Sequence, residues 1–129
     1  MASDSDDYRE QKSSTSFEET VGRLIAAIEK AGMTIFAKID HSAGAKEVGM
    51  AMQPAIVLLY GHARGGTPVM LAAPAAALDL PLRVLVRQTE QGDTVVALHP
   101  IKRVLAPYAV TAELVERLAQ AQQLIFASI

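Results

Sequence analysis

Residues 56–86 read IVLLYGHARGGTPVMLAAPAAALDLPLRVLV. This stretch begins and ends in apolar runs of strand character, Ala55–Tyr60 and Leu82–Thr89. Between them come a glycine-rich turn at Gly61–Gly66, an alanine-rich helical segment and a second turn at Asp79-Leu80-Pro81. A continuous apolar run such as Ala55–Tyr60 suits a central strand buried on both faces. Thr67-Pro68 has the form of an N-cap followed by proline at the first helical position. Pro74 must kink or restart that helix, because proline lacks the donor and clashes with the preceding turn. Pro81 pushes Leu80 into an extended conformation.

Upstream, Ser16-Phe17-Glu18-Glu19 reads as a capping box. Val21, Leu24, Ile25 and Ile28 then follow at helical spacing, and Gly32 stands where a left-handed terminator belongs. Met33–Asp40 alternates apolar and polar residues, the pattern of a half-buried strand. Asp40-His41-Ser42 ends it, with Ser42 able to cap a short helix from Ala43 to Met50. Asp40 is an alternative cap for the same turn. Tyr8–Ser14 reads as a short polar edge strand, and Met1–Asp7, acidic and terminal, as a frayed end.

Downstream, Leu82–Thr89 and Thr94–Leu98 are separated by Glu90-Gln91-Gly92-Asp93, a hairpin signal. Ile101–Ala106 forms a short helical turn. Thr111 caps a last helix whose apolar side is Leu114, Leu118, Ala121, Leu124 and Ile125. The order β-α-β-α-β-α-β-β-α predicts an α+β fold in a single domain, residues 8–129. Its sheet would be mixed or mostly antiparallel, with helices packed on it.

The 129 residues suffice for one self-supporting core. Half of them are hydrophobic, there is no Trp, and Phe and Tyr number three each, so the core is aliphatic. A formal net charge of −2, with no lysine/arginine stripe, excludes a general nucleic-acid binder. The absence of cysteine excludes disulfides, thiol catalysis and thiolate metal sites, and it fits a cytoplasmic protein. No apolar run reaches the roughly 18 residues of a membrane span, and no secretory signal is present. This apolar composition makes a homodimer hiding one sheet or helix face the expected assembly.

Three constellations could carry chemistry. The first is Gly61, His62, Arg64, Gly65, Gly66 and Thr67, after a strand and at the opening of a helix. Backbone N–H groups and the helix dipole there favour a small anionic ligand, with His62 and Arg64 adding charge or hydrogen bonds. Thr67 stands where a phosphate loop has its lysine, so that motif is absent. The second is Asp40-His41, either a carboxylate-oriented acid/base pair or simply a helix cap. The third is the histidine set, His41, His62 and His99, each at or just after a strand end. It could ligate zinc, but no H-x-H, H-x-x-x-H or H-E-x-x-H spacing accompanies it. Dinucleotide and nucleophile-elbow fingerprints are absent as well, so no cofactor is implied.

Ile39-Asp40-His41 followed by Ala45, Gly49 and Pro54 belongs to a larger pattern. After it come a strand ending at Gly61, then Gly66-Thr67-Pro68 with Met70, Ala77-Leu78-Asp79-Leu80-Pro81-Leu82, and the turn at Gly92. In their order and spacing these pieces resemble the bacterial and archaeal family called domain of unknown function 302. The resemblance runs from Ser16 to the C-terminus. It implies a small α+β domain, often homodimeric, with no established catalytic residues. That family often has Asn-Pro after the glycine matching Gly61, where this chain has His62 and Ala63.

Three functional readings follow. The first is a non-catalytic, homodimeric ligand-binding or accessory domain, its pocket between the Gly61–Pro68 loop and the Asp40-His41 turn. The second is an enzyme using His41 or His62 as acid/base, with Asp40 beside it and Arg64 holding an anionic substrate. The third is a histidine-based metal site.

Overall fold

In the computed structural model, residues 7–129 and the backbone of Ala2–Asp4 are described. The strands are β1 (Ala2–Asp4), β2 (Arg9–Lys12), β3 (Thr34–Asp40), β4 (Ala55–Gly61), β5 (Leu82–Gln88) and β6 (Thr94–Leu98). The helices are α1 (Phe17–Lys30), α2 (His41–Glu47), α3 (Ala63–Ala72), α4 (Ile101–Leu105) and α5 (Ala112–Ala127), with a 3-10 segment at Pro74–Asp79. One sheet runs in the order β1-β2-β6-β5-β4-β3, and every neighbouring pair is antiparallel. The α+β class and the succession of elements are as the sequence implies. Of the stretch expected to be frayed, Met1, Ser5 and Asp6 lie outside the described residues, whereas Ala2–Asp4 pair with Arg9–Gln11. Arg9–Lys12 is therefore flanked on both sides rather than being an edge.

α1 starts where Ser16 accepts from the Glu19 N–H at 3.2 Å. It ends at Gly32, whose φ of 84° gives the left-handed turn that a side chain would resist. Leu24 and Ile28 of this helix have no exposed surface. They meet Ile56, Leu58 and Tyr60 of β4 with Leu82, Val84 and Val86 of β5 in one aliphatic core, closed by Val69, Leu118 and Ile125.

The core lies on one side of the sheet, which corrects the expectation for β4. Ile56, Leu58 and Tyr60 join it, while Val57 and Leu59 are only half-buried on the other face. Antiparallel pairing needs no second helical layer, so alternate residues remain outside. Ile39, Val57, Leu85 and Ala97 stand opposite one another in a row across that outer face.

Tyr60 is the one core residue with an unanswered polar atom among the described residues: its hydroxyl is buried and has no hydrogen-bond partner. Burial pushes its phenol far above the ordinary range, so it stays neutral. Tyr60→Phe is expected to raise the unfolding free energy by about 1 kcal/mol, because it removes a desolvated donor and keeps the ring. A urea titration checks this, and a lowered midpoint would mean that the hydroxyl has a partner.

Candidate ligand cavity at one end of the sheet

Because β3, β4 and β5 are successive antiparallel neighbours, their connections alternate between the two ends of the sheet. Asp40 pairs with Ile56, whereas Gly61 pairs with Thr34. Five residue steps at about 3.4 Å put Asp40-His41 about 17 Å from the Gly61 end. The pocket expected between these two loops therefore does not form. Nor do Asp40, His41, His62 and Arg64 converge as the acid/base reading requires. Asp40 instead caps α2: its Oδ1 accepts from Ser42 Oγ at 2.6 Å and from the Ala43 N–H at 2.9 Å. These bonds, the Ser42 hydroxyl first, hold its carboxyl below the usual value. The cap is thus present above the ordinary carboxylate range and is lost as pH falls through the lowered value. α2 begins at His41, so the cap is Asp40 and not Ser42. Among the described residues no three His, Asp or Glu side chains gather as a metal site.

At the Gly61 end, the helix starts earlier than Thr67-Pro68 suggests. His62 is extended, with φ −144° and ψ 141°, and caps α3 by accepting the Arg64 N–H on Nδ1 at 2.9 Å. That bond leaves the neutral ring's hydrogen on Nε2. The His62 carbonyl accepts from Gly65 and Gly66, each at 3.0 Å. The glycine stretch is therefore the first turn of α3, and Pro68 lies within the helix, leaving the Arg64 carbonyl without its usual donor. The N–H groups expected to cradle an anion at Arg64, Gly65 and Gly66 are already bonded within this turn.

What opens here is a cavity of about 720 Å³. From the end of the sheet it is lined by Leu59, Gly61 and Leu82 with Phe36 and Ala37 of β3. One wall is α3, through His62, Gly65, Gly66, Thr67 and Met70. The other is formed by Leu80-Pro81 and by Arg117, Leu118 and Ala121 of α5. The Leu80–Pro81 peptide is cis. Gly65 lets α3 approach α5 closely, since a Cβ there would lie 3.1 Å from Leu118 Cδ2.

Of the six ligand-binding candidates from the sequence, Gly61, His62, Gly65, Gly66 and Thr67 line this cavity, whereas Arg64 is exposed and does not. Arg117 supplies the cationic group instead, and its Nη2 lies 3.5 Å from Glu113 Oε1 on the helix surface. Polar and charged residues are few in the lining: His62, Thr67 and Arg117. Such a surface can hold an apolar body and orient one polar or anionic end. Arg117, Leu118, Ala121 and Phe36 were not singled out as site residues by sequence. The apolar stripe of α5 marks Leu118 and Ala121 as packing positions, and only the tertiary fold brings them to the mouth.

The family model described as "Domain of unknown function DUF302" matches residues 9–127. The crystal structure of an uncharacterized conserved DUF302 protein from Bacillus stearothermophilus superposes with a TM-score of 0.82. It covers 92% of this chain and 94% of that one, at 16% identity. Among curated proteins, a stretch of 74 residues is 36% identical to "Fluoride-specific ion channel FluC 1" of Brucella suis, 57% of this chain and 29% of that protein. "Fluoride-specific ion channel FluC 2" of Brucella melitensis matches over 74 residues at the same 36% identity, with 27% of its length covered. The chain thus spans less than a third of the length of these relatives.

Proposed function

Starting from the fact that the chain belongs to the DUF302 family, we propose that it is a non-catalytic binding domain for a small amphipathic molecule. The ligand's apolar body would fill the cavity, and its anionic or hydrogen-bonding end would meet Arg117 and His62. The observation carrying this reading is the cavity itself. Its 720 Å³ lies within the roughly 300–1,000 Å³ of small-molecule sites, and its lining is apolar apart from His62, Thr67 and Arg117. The separation of His41 from His62 leaves the acid/base alternative without its set of residues.

The channel relatives fit an accessory role. No helix among the described residues is long and apolar enough to cross a membrane. Fluoride conduction is accordingly not carried over to this chain, and the shared piece is read as an appended binding unit. A cytoplasmic setting is part of the reading, supported by the absence of cysteine.

The test is a fluorescence titration with the amphipathic anion anilinonaphthalenesulfonate. Saturable binding is expected, weakened about tenfold or more in Ala121→Trp, which fills the cavity from its wall, with the circular dichroism unchanged. Ala77→Phe, from an exposed position on the rim, is expected to act in the same direction. Equal affinity in wild type and both variants would overturn the proposal.

The homodimer belongs to this reading too. Its support is the outer-face row of Ile39, Val57 and Leu85, in which Ile39 is 41% exposed and Val57 and Leu85 are half-buried. A second copy covering this row is expected to give a dimer in sedimentation equilibrium that Leu85→Asp converts to monomer. A monomeric wild type would contradict it.

A further inference from the structure

A second cavity, of about 580 Å³, adjoins the first across Pro81 and Leu82. Its character is different. Arg83 from β5, His99 after β6 and Arg103 from α4 converge on it, with Gln122 of α5 at its back. Arg83 makes no ion pair among the described residues. Gln122 is occupied structurally: it accepts from the Ile101 N–H at 2.8 Å and donates to the His99 carbonyl at 2.9 Å, fixing the turn that carries His99. The one carboxylate of the wall, Asp79, accepts from the Tyr108 hydroxyl. Two guanidinium groups thus stand in the lining against one carboxylate, and Arg83 is the one without an ion pair among the described residues.

The chain already offers this cluster a carboxylate. Asp7 Oδ1 lies 3.6 Å from Arg103 Nε, and the Asp7 carbonyl accepts from His99 Nδ1 at 2.6 Å. The Tyr8 ring meets the His99 ring edge-on at a centroid distance of 6.1 Å. The Asp7–Arg103 pair is exposed on both sides, at 78% and 49%, so solvent screens it and an incoming anion can displace it.

We propose that this second cavity is a binding site for a small oxyanion, a phosphate or carboxylate group, held by Arg83, Arg103 and His99, with Asp7 as a competing carboxylate of the same chain. Guanidinium forks match two oxygens of such a group, and Arg83, exposed at the lining and without an ion pair among the described residues, is the donor that a bound anion would complete. The site is separate from the apolar cavity and does not depend on what fills it.

The experiment is a backbone-amide NMR titration of the full chain with inorganic phosphate and, in a second arm, citrate, each against sodium chloride at matched ionic strength. Saturable shifts are expected at Arg83, His99, Ile101 and Arg103, with Gly65 and Gly66 unmoved. Arg83→Gln, on an exposed side chain, is expected to weaken binding about tenfold or more, and Arg83→Lys by less. Asp7→Asn is expected to tighten it about twofold to fivefold by removing the competitor. The stronger arm identifies phosphate or carboxylate as the preferred group. Shifts that chloride reproduces, or an affinity untouched by Arg83→Gln in a variant with wild-type thermal stability, would overturn the proposal.

Discussion

Gln122→Leu is expected to lower the unfolding free energy by about 2–4 kcal/mol, although leucine is similar in volume and more apolar. The reason is the pair of backbone groups that Gln122 serves. Its buried side chain answers the Ile101 N–H and the His99 carbonyl together. α4 begins at Ile101 after Pro100, which has no side chain with which to cap a helix. Gln122 thus supplies from α5 the acceptor that a local Ser or Asp would otherwise give. Leucine leaves one donor and one acceptor desolvated and unpaired. A urea titration should show a lowered midpoint with the slope unchanged, because the folded core is retained. The same variant should lose the oxyanion response, since the turn carrying His99 is no longer fixed. Wild-type stability would show that these groups find other partners.

Leu58→Ala is the second large effect, expected at about 3–4 kcal/mol, against about 1 kcal/mol or less for its neighbour Val57→Ala. Leu58 has no exposed surface and sits between Lys38 and Val84 in the sheet, facing the helices. Truncation there removes buried methyl groups and leaves a void that α1 cannot collapse to fill. Val57 is half-buried in the outer-face row and leaves its space to solvent or to a second copy. Denaturation of the two variants side by side checks the one-sided core, and equal losses would indicate helices on both faces. In a dimer the Val57 loss would also depend on protein concentration.

Much of this architecture is legible in the chain because its signals are local. Ser16 with Glu19, the stripe of Leu24 and Ile28, and the left-handed Gly32 specify α1 within a few residues. The Gly92 turn, with φ 89°, does the same for the β5–β6 hairpin. What is not legible depends on partners distant in sequence or on an unusual local choice. Histidine caps α3 where Thr67-Pro68 carries the commoner signature, so the glycine turn reads as a loop while it folds as helix. The continuous run of β4 conceals one-sidedness, because Val57 and Leu59 are as apolar as the core residues beside them. The separation of Asp40-His41 from His62 follows once the sheet is known to be antiparallel, since consecutive connections must then leave from opposite ends. The apolar cavity takes its third wall from α5, some fifty residues beyond α3 in sequence, and Arg117 replaces Arg64 as its cation for that reason.

The most direct measurement is a backbone-amide NMR titration of the wild-type chain with decanoate, an amphipathic carboxylate. Saturable shifts centred on Gly65, Gly66, Leu118 and Ala121, and absent in Ala121→Trp, are the predicted result. Shifts confined to Val57 and Leu85 on the outer face, or no saturable shift at all, would contradict a ligand site at this end of the sheet.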